Sequence, residues 1–275
     1  MIKRILLGLG GTPFTDVAIE RALELAQLHN ALVTGVTVVD VKRLTRVGPV
    51  PPGGGAYAAR LRDKRLNVTE EQVENAIAKF SQKSAEFNIA TKIVRETGDS
   101  FEAMIAHARY NDVTIFGLKS LFDYGFDFEP RDALIRLVSQ GVRPIIAVAP
   151  KFRPIRKVLI AYSGSMESAK AMRRYVQLNP WRDVGLRIVH FGKSSENVTR
   201  LLNDAAAYCQ AHGFDAETDV VDSAAKDHLI EYAQQNNMDL VVMGNSIRHL
   251  IVRHLLGDTV LNAIRQSDRP LFLAQ

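Results

Sequence analysis

The sequence predicts two copies of one α/β domain, each a doubly wound parallel sheet of five strands with helices on both faces. Three apolar runs recur in the same order: residues 5–12 at 158–165, residues 112–117 at 239–244, and residues 143–148 at 269–274. Helical patterns separate these runs, and strict alternation of apolar strands with helices is typical of a parallel sheet covered on both faces. The 275 residues suit two domains of ordinary size, which we place at residues 1–150 and 151–275.

In the first copy, apolar residues at three- and four-residue steps predict helices, and short β-branched runs predict strands. The predicted elements are strands 3–9, 32–39, 90–95, 113–116 and 143–148, and helices 16–29, 58–87, 100–109 and 132–140. Thr15 or Asp16 is the expected N-cap of the first helix. The long second helix has a potential break near Asn67. Residues 47–55, rich in proline and glycine, are expected to form a mobile loop.

The second copy repeats this order with shorter connections. Its predicted elements are strands 157–161, 186–190, 216–221, 240–243 and 271–274, and helices 166–178, 196–212, 226–236 and 258–265. Pro150 and Pro154 make the linker between the copies short and stiff, because proline fixes its own backbone angle. We therefore expect the two copies to pack against each other.

Composition restricts the classes of function. The single cysteine, Cys209, excludes an intramolecular disulfide, and its helical setting favours a buried small hydrophobe over a reactive thiol. No stretch approaches the roughly 18 to 20 apolar residues of a membrane span, and the chain starts directly with a strand, so we expect a cytoplasmic protein. The net charge of +5 is modest. We see no dense basic patch with interleaved aromatic residues, and nucleic acid is not an expected partner.

The candidate site lies in the second copy, because ligands of doubly wound sheets bind beyond the carboxyl ends of the strands. The turn at 163–165 and the segment 244–259 lie at such ends. Gly244 would let the chain leave its strand sharply, and Gly257 would let it enter a helix whose free N–H groups attract anions. Thr259 adds a hydroxyl, and Arg253 is a nearby cation.

With these residues, the whole chain resembles the universal stress protein family in its tandem form. The resemblance implies a Rossmann-like fold, also described as adenine nucleotide alpha-hydrolase-like. Members that bind ATP carry G-x-x-G, nine further residues and G-[S/T] after the fourth strand, and usually an acidic residue after the first. Gly244 and Gly257 match this spacing. Ile247 replaces the second glycine, Asp258 replaces the hydroxyl residue, and Ser163 replaces the acid.

The first copy departs further from the family pattern. Gly10 stands at the position of the acid, Ser120 at the second glycine and Pro130 at the third. Proline removes a backbone donor that would face a phosphate. By this resemblance the first copy is unfit for a triphosphate.

The resemblance implies a stress-response regulator that binds ATP, ADP or AMP, with or without magnesium, in the second copy. Asp258 is also explained as a plain N-cap, and Phe191 as a ring contact for adenine. The complete set of expected contacts is Ser163, Phe191, Gly244, Ser246, Arg253, Gly257, Asp258 and Thr259. A scaffold that binds no nucleotide and docks a partner protein is the alternative, and slow ATP hydrolysis is a third. We expect a homodimer or an intramolecular pseudo-dimer with an unidentified protein partner, and no catalytic or metal-binding residues.

Overall fold

The computed structural model describes residues 1–45, 53–118, 137, 142, 144–244, 247–250, 253–256 and 258–274. The strands of the first half are β1 (Arg4–Gly8), β2 (Leu32–Val39), β3 (Thr91–Thr97), β4 (Val113–Gly117) and β5 (Ile145–Val148). Its helices are α1 (Thr15–His29), α2 (Val41–Leu44), α3 (Gly55–Glu86) and α4 (Ser100–Ala108). The predicted helix 132–140 lies outside the described residues except for Leu137.

The described residues of the second half repeat the five strands and counterparts of α1, α3 and α4 in the same order, without a counterpart of α2 and with two further strands and a helix before the last strand. Its strands are β6 (Lys157–Ala161), β7 (Gly185–Phe191), β8 (Ala216–Val221), β9 (Leu240–Gly244), β10 (Ile247–Leu250), β11 (Arg253–Leu256) and β12 (Leu271–Ala274). Its helices are α5 (Met166–Leu178), α6 (Glu196–Ala211), α7 (Ala225–Gln235) and α8 (Asp258–Gln266). None of the described helices is long and apolar enough to cross a membrane.

The two halves share one sheet of ten strands in the order β3-β2-β1-β4-β5-β12-β9-β6-β7-β8. Each half is the predicted parallel sheet of five strands, and the halves join where β5 and β12 pair antiparallel, with Phe272 opposite Ile146. All four residues of each joining strand are buried. An isolated half would expose this apolar strand as an open edge, so pairing within the chain protects both edges. The expected pseudo-dimer is therefore built into the fold.

A carboxylate anchors the first strand of each half to the fourth. Asp112 Oδ2 accepts hydrogen bonds from the backbone amides of residues 3 and 4 at 2.7 and 2.9 Å. Asp239 Oδ2 accepts the equivalent bonds from residues 156 and 157, both at 2.9 Å. The repeat therefore preserves a structural contact as well as a hydrophobic pattern.

Helix α1 also contacts the linker and the second half. The guanidinium of Arg21 is buried between the rings of Phe152 and Trp181, at 4.5 and 5.3 Å from their centroids. Arg21 Nη2 donates to the carbonyl of Arg153 at 2.7 Å, and Trp181 Nε1 donates to Glu24 at 3.1 Å. These contacts fix the linker between the halves, which confirms the expected packing of the two copies.

Three local predictions need correction. Helix α3 is continuous from Gly55 to Glu86, so the break near Asn67 is wrong. Thr69, two residues after Asn67, is fully buried within this helix, so packing of the helix against the sheet outweighs any local tendency to break. The N-cap of α1 is Phe14, and Thr15 is already helical. Gly55 begins α3, whereas residues 47–52 of the expected mobile loop lie outside the described residues.

The cysteine is buried, as predicted. Cys209 has no exposed surface and belongs to the core on one face of the sheet, on helix α6. Burial raises the pKa of its thiol to about 11, because the charged thiolate is disfavoured away from water. The thiol is therefore held in its neutral form and acts as packing.

Candidate functional site

A cleft of about 150 Å³ opens at the carboxyl ends of β6, β7 and β9. Its apolar walls include Val189, Phe191, Met243 and Val260. Its polar residues are Ser163, Ser165, Ser168, Thr259 and Glu167. The cleft therefore combines an apolar interior with hydroxyl groups near the first turns of helices α5 and α8, as small-molecule sites commonly do.

The serines of the cleft form the turn that starts α5. Ser165 is the N-cap of this helix, and its hydroxyl accepts from Ser168 N at 3.2 Å. Ser163 Oγ accepts from Ser165 N at 3.3 Å and donates to Ser168 Oγ at the same distance. Gly164 between them has a φ of +79°, a conformation that glycine adopts without strain. Ser163 thus holds the turn in place where the family usually has an acid.

Gly244 allows β9 and α5 to come into close contact. A Cβ atom at this position would lie 2.4 Å from the carbonyl oxygen of Glu167 and 2.8 Å from the backbone nitrogen of Ser168. Gly244 does not have a positive φ. The expected sharp turn is therefore not the reason for glycine here; the reason is that no side chain fits between strand and helix.

Phe191 is half-buried at the end of β7, and its ring borders the cleft. Tyr232 of α7 holds it in an edge-to-face contact, with ring centroids 5.9 Å apart and planes at 82°. Such a contact stabilises one ring orientation. Phe191 is therefore positioned to contact a planar group in the cleft.

At the start of α8, Thr259 lines the cleft, whereas the side chain of Asp258 is exposed beside it and is not one of the lining residues. Ser246 and Gly257 lie outside the described residues, and for Arg253 only the backbone in β11 is described. The structure thus brings together Ser163, Phe191, Gly244 and Thr259. In the described part of the chain, no group of three His, Cys, Asp or Glu residues could hold a metal ion.

The segment after β9 was expected to be a loop, but it contains a β-hairpin. Strands β10 and β11 pair antiparallel, with His249 opposite His254 and Leu250 opposite Arg253. Ile247, which stands where a nucleotide-binding loop would have its second glycine, is the first residue of β10. A β-branched residue favours an extended strand. Isoleucine therefore replaces the second glycine at a position where this chain has a strand and a nucleotide-binding member would have a loop.

Residues 1–115 and 192–275, more than half of the chain, match the family model described as Universal stress protein family. The chain belongs to the universal stress protein family. It is 23% identical over 292 residues to Universal stress protein Slr1230 of Synechocystis, across 98% of this chain and 99% of that protein.

Solved structures show the same fold over the whole length. A universal stress protein from Archaeoglobus fulgidus gives a TM-score of 0.73 at 16% identity, across 100% of this chain and 96% of that one. A putative universal stress protein from Pseudomonas aeruginosa gives 0.61 at 16% identity, across 99% and 93%. Both likenesses support the arrangement of two joined halves described above.

In this universal stress protein, Glu167 is a cleft residue that the sequence analysis did not identify. It lies in the first turn of α5, where a carboxylate interacts favourably with the helix dipole, and it lines the cleft. The signal in the sequence was its position four residues after Ser163, at the start of a helix. Only the contact with the end of β9 shows that this turn borders the cleft.

In the first half, β1 and β4 end at Gly8 and Gly117, and Gly10 follows β1 in the turn towards α1. Ser120 and Pro130 lie outside the described residues. That the first half cannot bind a triphosphate therefore stays a prediction from the sequence.

Proposed function

We propose that this universal stress protein is a regulator that binds an adenine nucleotide in the cleft of its second half, within residues 151–275. The observation that carries the proposal is the convergence of four predicted contacts on one cleft at the carboxyl edge of the sheet: Ser163, Phe191, Gly244 and Thr259. Doubly wound sheets bind ligands at this edge. The residues 1–150 then serve as the paired half that completes the sheet.

The cleft suits the parts of a nucleotide differently. In our proposal the adenine ring lies against Phe191 and the apolar wall, where a planar apolar group removes the most surface from water. The phosphates lie towards Thr259, where the first N–H groups of α8 attract anions. The hydroxyls at the start of α5 are left for the ribose.

Glu167 decides which nucleotide suits the cleft best. Glu167 lines the same cleft as Thr259, and its carboxylate would repel phosphates bound there, because like charges repel each other strongly where water is partly excluded. Repulsion grows with the number of phosphates, so AMP and ADP are favoured over ATP. Magnesium bound to ATP would offset part of this repulsion.

The hairpin is the element through which we propose that ligand binding affects a partner protein. Strands β10 and β11 connect the end of β9 to the start of α8, and both of these ends border the cleft. We propose that a ligand bound between them changes the position of the hairpin, and that a partner protein detects this change. Residues 47–55 of the first half are proposed to respond in the same manner.

Native mass spectrometry of the full chain with AMP, ADP and ATP, with and without magnesium, tests the proposal. We expect one nucleotide per chain. Thr259→Val removes the hydroxyl at constant size and should weaken binding about 10-fold, since a hydrogen bond to a charged group contributes about 1.5 kcal/mol or more. Thr199→Val is the matched control, because Thr199 is an exposed residue in the first turn of α6. Absence of uptake for all three nucleotides would refute the proposal.

A scaffold that binds no nucleotide is the second candidate. Two observations favour it: Ser163 already makes two hydrogen bonds in its turn, and Ile247 begins a strand instead of a phosphate-binding loop. A folded protein that takes up no nucleotide but captures a partner would support the scaffold. Slow ATP hydrolysis is a third candidate, with Asp258 as its expected base, and turnover that survives Asp258→Ala would remove that role.

A further inference from the structure

The two ends of helix α3 carry opposite charge. Its first twelve residues, 55–66, contain four cations and one carboxylate, whereas residues 67–86 contain four glutamates and two lysines. The helix dipole favours the reverse order, with acids near the N-terminus. In addition, the first turn has no acidic residue, and the N-cap Gly54 makes no side-chain hydrogen bond. Helix stability therefore does not explain the basic cluster.

The two ends also differ in how their charges are paired. Near the C-terminal end, Lys79 Nζ lies 2.9 Å from an oxygen of Asp16, and Lys83 Nζ lies 2.6 Å from an oxygen of Glu20. Both acids belong to α1, so these lysines bind the helix to its own half. The cations at this end thus have a structural role.

Three cations near the N-terminal end form no such ion pairs within the described residues. The side chains of Arg60, Arg62 and Lys64 are exposed and form no ion pair within the described part of the chain. Lys42 of helix α2, which packs against α3, is exposed and unpaired among the same residues. We call these four residues the basic end. No described carboxylate forms an ion pair with them, so these charges remain available to attract an anionic partner.

An exposed aromatic residue accompanies the basic end. Tyr57 is 72% exposed, and it lies three residues before Arg60 and seven before Lys64. This spacing places the three residues on one stripe of the helix, about 10 Å long at a rise of about 1.5 Å per residue. A ring and two cations along one stripe match the alternation of bases and phosphates in a nucleic acid strand.

We propose that the basic end binds a single-stranded nucleic acid, with the cations on its phosphates and the ring of Tyr57 stacked on a base. An anionic membrane fits less well, because the apolar residues Ala58, Val73 and Phe80 of α3 are buried in the protein and cannot enter lipid. An acidic protein segment would satisfy the cations but leaves Tyr57 without a partner. Nucleic acid was not an expected partner from the sequence, because the net charge of +5 averages over the acids of the whole chain, whereas the exposure of these side chains is a property of the fold.

Fluorescence anisotropy of a labelled 20-nucleotide single strand with the full chain tests this inference. The two cations of the stripe predict a slope of about −1.4 for log affinity against log salt, since each contact contributes about −0.7 for single strands. Affinity should therefore fall about 7-fold between 50 and 200 mM salt. This salt dependence is the first expected result.

Variants of one helix provide the matched comparison. The triple variant Arg60→Gln, Arg62→Gln, Lys64→Gln should bind at least about 10-fold more weakly at 50 mM salt, with a slope smaller by about 1.4. Glutamine is a good helix former, so α3 should persist in circular dichroism. The control Lys79→Gln, Lys83→Gln removes paired cations from the same helix and should leave affinity and slope unchanged.

A variant of Tyr57 distinguishes the contribution of base stacking to affinity from the contribution of charge. Tyr57→Ala should weaken binding about 5- to 150-fold without changing the salt slope, because stacking on a base involves no counterion release. Three results would overturn the inference: no binding of the single strand at 50 mM salt, equal loss in the triple variant and its control, or tighter binding to vesicles with 30% anionic lipid than to the oligonucleotide. The last result would assign the basic end to a membrane surface.

Discussion

Replacing Gly244 by alanine should destabilise this protein far more than a surface glycine replacement does. The new Cβ would lie 2.4 Å from the carbonyl oxygen of Glu167, whereas ordinary contact begins at 3.4 Å. The first turn of α5 must therefore retreat from β9 by about 1 Å. The atoms in the way are backbone atoms, so no side-chain rotation relieves the clash.

The expected cost is about 3 kcal/mol, at the upper end of what overpacking a well-packed site costs. For a protein of this size this lowers the melting temperature by about 6 to 12 °C. Gly185→Ala is the matched control, because a Cβ there meets only the carbonyl oxygen of Arg156, at 3.9 Å. Its free energy of unfolding should stay equal or rise by up to about 1 kcal/mol, since alanine restricts the unfolded chain.

Scanning calorimetry and urea unfolding measure both variants. Equal melting temperatures for Gly244→Ala and Gly185→Ala would refute the reasoning, because α5 would then not pack against the end of β9 in solution. The same contact forms one side of the cleft. A destabilised Gly244→Ala should therefore also bind nucleotide more weakly, which the mass measurement described above would detect.

Three further predictions concern the buried cysteine, the loss of stability at low pH and the carboxylates that anchor the first strands. Burial raises the pKa of the Cys209 thiol to about 11. At pH 8 it should therefore react with a disulfide reagent at least about 100-fold more slowly in the folded protein than in the urea-unfolded protein. Similar rates in the two states would contradict its burial. A hydrogen bond from Arg269 lowers the pKa of Asp268 in the folded protein. The charged Asp268 therefore stabilises the fold at pH values above its unfolded pKa of about 4. This stabilisation is lost as the pH falls through the lower pKa of the folded protein. Urea midpoints of Asp268→Asn should therefore fall less steeply below pH 4 than those of the parent, and parallel curves would argue against this. Asp239→Asn weakens two hydrogen bonds to the start of β6 and should lower the free energy of unfolding by about 1 kcal/mol. Asp112→Asn is the equivalent variant in the first half. An unchanged urea midpoint in both variants would show that neither carboxylate anchors its strand.

The strands were predictable from the sequence because each is a short apolar run with a local period. The predicted strand 32–39 coincides with β2, and the predicted strand 157–161 coincides with β6. The helix over 166–178 was also correct at both ends. In each case turn residues such as Gly164 and Asn179 lie beside the element, and Asn179 adopts the left-handed conformation that ends α5.

Several predicted contacts lie at one edge of the sheet because the ends of strands determine that position, whereas their role in binding a ligand stays a prediction. Ser163, Phe191 and Gly244 follow or end β6, β7 and β9, and the carboxyl ends of parallel strands meet at one edge of the sheet. Glu167 was missed because a helix residue becomes part of a cleft only through packing. The hairpin was not predicted because the glycine spacing is typical of a loop, and the single β-branched Ile247 does not specify the strand with which it pairs.

The sequence by itself determined the repeat, the alternation of strands and helices and the edge of the sheet at which a ligand would bind. These properties depend on periodicity and turn residues, which can be identified from short stretches of the sequence. The tertiary structure alone decided that β5 pairs with β12, that α3 is continuous and that Gly244 touches the start of α5. It also decided that Lys79 and Lys83 are paired, whereas Arg60 and Lys64 form no ion pair with any described residue. Each of these depends on atoms brought together from distant parts of the chain, and a local pattern does not specify which distant surfaces will meet.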